Sequence, residues 1–161
     1  MSHRIPISIL AAAILGAGCG NDDAAEPASE TAAPASVFGV YTREVTEADI
    51  ARTAGARSDA PGFEPAPAGR YQLTVAEGEG VDVVKVTDPS GFTVEMDAGV
   101  DARELRIVSY AAPEKGAFCD QSVTAQAKYS LVPEEGGLAL EPESEECADR
   151  DSVLTGTWEK G

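Results

Sequence analysis

The sequence predicts a mainly β protein: a small antiparallel up-and-down β-barrel of about eight strands, with one or two short helices. An antiparallel β-sandwich is the alternative. Two observations carry this. From residue 69 onward, apolar and polar residues alternate with period two over several short runs, the pattern of strands with one buried face. Tight turn signals rich in Gly, Pro, Asp and Glu separate those runs. Neighbours therefore join as hairpins rather than through crossover helices. Eight strands suffice to close a small barrel, which leaves no exposed edge.

The chain has 161 residues, enough for one domain once its N-terminus is set aside. Residues 1–18 read as a signal peptide. Arg4, with His3, gives a short positive region, and Ile7 to Leu15 are apolar apart from Ser8. That run is shorter than the ~20 residues of a spanning helix. It closes on Ile14-Leu15-Gly16-Ala17-Gly18-Cys19-Gly20, which resembles the lipobox of bacterial lipoproteins. The resemblance implies cleavage before Cys19, diacylglyceryl and acyl chains on Cys19, and an extracytoplasmic protein lipid-anchored to the cell membrane. A plain secretory signal, leaving Cys19 as a stray thiol, is the alternative.

Residues 19–36 follow as the lipidated Cys and an Ala/Pro/Glu linker without a large apolar residue. Such a segment buries nothing and stays disordered, with a reach on the order of 20 Å. The domain proper spans residues 37–161. Charge supports attachment by lipid rather than by electrostatics. Asp and Glu number 28 against 12 Lys and Arg, and such a surface repels anionic head groups and nucleic acid alike.

Val37 to Val45 is the first expected ordered segment, with a strand around Gly39-Val40-Tyr41-Thr42. Thr46-Glu47-Ala48-Asp49 reads as a helix start, with Thr46 capping and Asp49 returning the bond; the helix runs to about Ala54. A Pro/Gly/Ala-rich loop spans Arg57 to Gly69. Tyr71, Leu73 and Val75 then alternate with polar residues, and Val81 to Thr87 is a Val-dense strand. Asp88-Pro89-Ser90-Gly91 is a turn. Phe92, Val94 and Met96 alternate on the next strand, and Glu104 to Tyr110 carries Leu105 and Ile107. Val123, Ala125, Ala127, Tyr129 and Leu131 share one face of a further strand. After Pro133 to Gly137, Leu138 and Leu140 face the core. An acidic loop, Glu143 to Glu146, precedes a short helix from about Cys147 to Leu154, and Gly156-Thr157-Trp158 supplies a closing strand.

Three Gly-x-aromatic steps recur at these strand starts: Gly39-Val40-Tyr41, Gly69-Arg70-Tyr71 and Gly156-Thr157-Trp158. The segment Gly69 to Val75 resembles the Gly-x-Trp opening strand of lipocalin-like, or calycin, barrels, with Tyr in place of Trp. The segment Cys147 to Trp158 resembles the C-terminal part of exported actinobacterial proteins with such domains. The resemblance implies a barrel that binds an apolar or amphipathic molecule, and no particular reaction.

Three Cys in an exported chain leave one over, and lipidation of Cys19 accounts for it. Cys119 and Cys147 then form an expected disulfide, in a compartment where one persists; two buried free thiols are the alternative. The only His is His3, in the signal. The expected mature domain therefore has no Ser-His-Asp, Cys-His or His-based metal site. It also lacks a Gly-x-Ser-x-Gly elbow, a phosphate-binding Gly loop and Cys-x-x-Cys. Glu141, Glu143, Glu145, Glu146, Asp149 and Asp151 are acidic but lack a Ca²⁺-loop pattern. The expectation is thus no enzyme, no cofactor and no metal; two of the abundant carboxylates acting as acid and base are the alternative.

The candidate ligand-binding interior comprises Tyr71, Leu73, Phe92, Val94, Met96, Ile107, Ala125, Ala127 and Tyr129. An eight-stranded barrel either fills its interior or holds one small ligand. Both remain open here, with Ala125 and Ala127 removing bulk from one strand. The first functional expectation is a lipid-anchored module that binds a small apolar or amphipathic molecule at the envelope. The second is an envelope protein with a filled core that contacts other proteins through its acidic surface.

Overall fold

The computed structural model describes residues 36–53, 65–113, 116–119 and 126–161. The expectations for the signal segment, Cys19, the linker up to residue 35, the loop over 54–64, Val123 and Ala125 lie outside these residues. Among the described residues the strands form one closed antiparallel barrel, in the order β1-β2-β3-β4-β5-β6-β7-β8. The strands are β1 (Gly39–Val45), β2 (Gly69–Ala76), β3 (Asp82–Thr87), β4 (Thr93–Val100), β5 (Glu104–Tyr110), β6 (Ala127–Glu134), β7 (Gly137–Ser144) and β8 (Gly156–Lys160). Helix α1 (Glu47–Thr53) follows β1, and α2 (Ala148–Leu154) precedes β8. The meander read from the alternation is the fold; the sandwich is not.

Alternation places the core as expected along β2, β3 and β4. Tyr71, Leu73, Val75, Val84, Val86, Val94, Met96 and Ala98 are all buried. Thr46 caps α1 as read: Thr46 Oγ1 accepts from Asp49 N at 3.2 Å, and Asp49 Oδ2 accepts from Thr46 N at 2.9 Å.

The three Gly-x-aromatic steps share one construction. Each glycine has a positive φ (Gly39 154°, Gly69 139°, Gly156 126°), which a side chain would strain. Each aromatic tip donates to the carbonyl four residues earlier. Tyr41 Oη reaches Val37 O at 2.9 Å, Tyr71 Oη reaches Pro67 O at 2.8 Å, and Trp158 Nε1 reaches Leu154 O at 2.9 Å. The step thus bends the chain into the strand, buries a large ring, and satisfies the ring's polar atom at once.

Three details depart from simple alternation. Strict period two on β5 would turn Tyr110 outward. The register against β4 slips so that Asp97 faces Ser109 while Ala98 faces Ile107. This bulge leaves Val108 exposed and buries Tyr110. A second slip, between Lys128 and Tyr129, accommodates Pro142 opposite Tyr129. Phe92 is the third. It was expected on the core face of β4 but lies outside the strand and is 48% exposed. The turn captures it: Asp88 N donates to Phe92 O at 2.8 Å and Phe92 N donates to Asp88 Oδ1 at 2.9 Å.

Candidate functional site

Part of the barrel interior is tightly packed among the described residues. Around Leu73, Val75, Leu105, Leu131, Leu138 and Leu140 the side chains leave no room for a water molecule. Met96, Ile107 and Tyr129 are fully buried and Ala127 nearly so. Of the nine candidate residues, Leu73, Met96 and Tyr129 are therefore core, while Ile107 and Ala127, also buried, border a separate depression of about 290 Å³ beside Arg106 and Lys128. Ala125 lies outside the described residues. Tyr71, Val94 and Phe92 come together elsewhere.

They meet in a cleft of about 330 Å³, at the lower end of the size range of small-molecule sites. Tyr71 on β2, Val86 on β3 and Val94 on β4 form one wall. Pro65, Ala66 and Pro67 approach from the segment before β2, and Ala117 and Phe118 from the segment that carries Cys119. Phe92 borders the opening. Gly116 allows the close approach: a Cβ there would stand 2.1 Å from Phe92 Cζ. Asp88 and Asp149 add carboxylates. Burial, then the charges of Asp88 and Asp149, pushes the Tyr71 phenol up to about 12. It therefore stays neutral and keeps donating to Pro67 O.

The wall segment is fastened covalently. Cys119 and Cys147 lie at disulfide distance, S–S 2.07 Å. Cys147 is also the N-cap of α2, its Sγ accepting from Arg150 N at 3.4 Å. The bond joins the segment bearing Phe118 to the helix bearing Asp149.

Next to Asp149 in α2, Arg150 forms a buried ion pair. Arg150 Nε and Nη2 donate to Glu145 Oε2 and Oε1 at 2.7 and 2.9 Å, with the side chains 0% and 2% exposed. Tyr129 Oη donates to Glu145 Oε2, and Arg150 Nη1 donates to Tyr110 Oη at 3.3 Å. Burial alone would lower the Arg150 pKa, but the Glu145 bonds and charge outweigh it and the net shift is upward. Glu145 belongs to the acidic loop Glu143 to Glu146. It is a core anion, and its oxygens are spent on Arg150, Tyr129 and Cys147 N.

A larger groove of about 470 Å³ runs along the outer face of β1, β2 and β8. Its charges offset each other, Arg43 and Arg70 against Glu44 and Glu159. Arg43 is already committed to Asp49 at 2.8 Å and to the carbonyls of Ser152 and Val153. Among the described residues no aromatic side chain lines the groove, whereas three line the smaller cleft.

No known protein family, curated protein or solved structure matches the chain. What the cleft can do therefore follows from its own chemistry. Three aromatic rings and several aliphatic groups face two carboxylates. Such a lining holds an apolar body with a polar end. The sequence marked Tyr71, Phe92 and Val94 but missed Asp88, Phe118 and Asp149. The only signals for these were the turn that fixes Asp88 beside Phe92 and the Cys119 bond that brings in Phe118.

Proposed function

We propose that the protein is a lipid-anchored extracytoplasmic lipoprotein whose lipocalin-like barrel binds a small apolar or amphipathic molecule in this cleft. It acts by binding rather than catalysis. The observation that carries the reading is the aromatic and aliphatic cleft beside a barrel interior that is packed tight around Leu73 and Leu138. The Ile14 to Gly20 segment supplies the anchor through acyl chains on Cys19. The packing around Leu73 and Leu138 favours the other reading, a filled envelope protein that works through its acidic surface, and the same test separates the two.

The test has two arms. Cys19→Ala is expected to move the protein from the membrane to the soluble fraction; unchanged fractionation would remove the anchor. The full-length Cys19→Ala chain is then titrated with N-phenyl-1-naphthylamine. Saturable fluorescence enhancement is expected, and Ala117→Trp, which fills the cleft from its rim, should abolish it. Equal enhancement in both chains, or none in either, would leave the acidic-surface reading.

A further inference from the structure

We propose that the cleft is selective for a cationic amphiphile: an alkylammonium whose head sits at the rim beside Asp88 and whose tail lies on the Val86 and Val94 wall. This rests on the binding function proposed above and names its ligand class. Ammonium groups are attracted to aromatic faces, most strongly where water is excluded and several rings converge. Tyr71, Phe92 and Phe118 supply three such rings around one opening.

Asp88 supplies the charge, and the turn holds it in place. Its Oδ1 accepts from Ser90 N at 2.8 Å, Ser90 Oγ at 2.6 Å and Phe92 N at 2.9 Å. The carboxylate and the Phe92 ring are thus positioned by one set of bonds, with little left to order on binding. Asp149, from the first turn of α2, adds a second carboxylate to the lining. Among the described residues, no Lys, Arg or His lines the cleft. The rest of the molecule reinforces the sign, because 28 acidic against 12 basic residues attract cations and repel anions. The cleft volume of about 330 Å³ suits a head group with a short chain rather than a two-tailed lipid.

The experiment compares four probes with the same ten-carbon tail, each below its micelle concentration, by calorimetry on the full-length Cys19→Ala chain. Decyltrimethylammonium should bind about two- to fivefold more tightly than neutral decyl maltoside, the range for a partly exposed charge pair. Decyl sulfate should bind most weakly. Decylphosphocholine should fall below decyltrimethylammonium, because its phosphate meets the carboxylates. Asp88→Asn keeps an oxygen for the three turn bonds while removing the charge. It should narrow the preference for decyltrimethylammonium over decyl maltoside and leave the affinity for decyl maltoside unchanged, because Asp149 and the three rings remain. Equal affinity for the cationic and neutral probes in the parent chain would overturn the ligand class while leaving the binding function standing. Tightest binding of decylphosphocholine would also overturn it, in favour of a lipid choline head group. No binding of any probe, with no N-phenyl-1-naphthylamine signal, would remove the binding function itself.

Discussion

Each of the four tyrosines in this chain sits in a setting that disfavours its phenolate. Burial raises Tyr41, Tyr71 and Tyr110, and it raises Tyr129 well above the ordinary value, where the Glu145 charge adds to the effect. A group raised on folding contributes stability that is fully present below its unfolded pKa of about 10 and is lost as pH climbs through the folded value. For Tyr71 that window runs from about 10 to about 12. Phenolate absorbance at 295 nm is therefore expected to stay low past pH 10 and to rise in one step together with loss of the β circular-dichroism signal. In urea the four rings should titrate near pH 10. One ring ionising near 10 in the intact barrel would contradict its burial. At this scale the sequence was legible where a residue was apolar and opaque where it was charged. Nothing in Glu145 and Arg150 marks them as core. A short polar helix after an acidic loop reads as solvated surface, and only the barrel end closing over them reveals a bidentate pair. Such a pair costs several kcal/mol to break from one side.

Among the elements, β1, β2, β3 and β5 were legible to within two or three residues, because each pairs a buried face with a turn or a glycine at its border. What alternation could not carry was the slip at Asp97/Ala98, since a bulge leaves no mark in a hydrophobic pattern. The turn at Asp88 was read correctly as a turn. Its capture of the Phe92 N–H, which moves that ring from core to cleft, depends on one side-chain bond. The segment 116–119 is the element whose role depends most on covalent chemistry, since its tie to α2 is the Cys119–Cys147 pair, 28 residues apart. Closing a loop of that length is worth about 3.5 kcal/mol in the chain-entropy account. Reduction is therefore expected to lower the melting midpoint by about 10 °C or more for a domain of this size. It should also weaken N-phenyl-1-naphthylamine binding, because Phe118 loses its tether. Trp158 is held separately, by β7 and by Leu154 O, so its fluorescence should change after the dye signal. An unshifted midpoint would leave the bond without a structural role, and two titratable thiols in the unfolded, non-reduced protein would refute it.

For the whole molecule, closure depends on where the last strand meets the first. β1 and β2 are in register from Gly39↔Val75 to Val45↔Gly69, whereas β1 and β8 register only at Tyr41↔Lys160 and Thr42↔Glu159. Beyond that pairing the seam has the Gly161 N bond to Val40 O at 2.9 Å, with Lys160 Nζ lying 5.9 Å from the Tyr41 ring centroid. β8 is held instead from its other side. Leu138↔Trp158 and its neighbours pair it with β7, Lys160 N donates to Gly136 O at 2.7 Å, and the Trp158 ring is buried in the core. A ladder this short opens by local fraying, whereas long ladders exchange only through larger openings. Native-state hydrogen exchange is therefore expected to find the amides of the β1–β8 seam fastest among the strand amides, with β2 and β3 amides near the global limit. Trp158→Ala removes the anchor on the β7 side and should cost about 3–5 kcal/mol. It should also leave β1 as an exposed edge, so aggregation should rise with concentration. Seam amides as slow as those of β2 would mean that closure is set by something other than this short pairing. A soluble, monomeric Trp158→Ala variant with unchanged exchange elsewhere would mean that β8 holds without its ring.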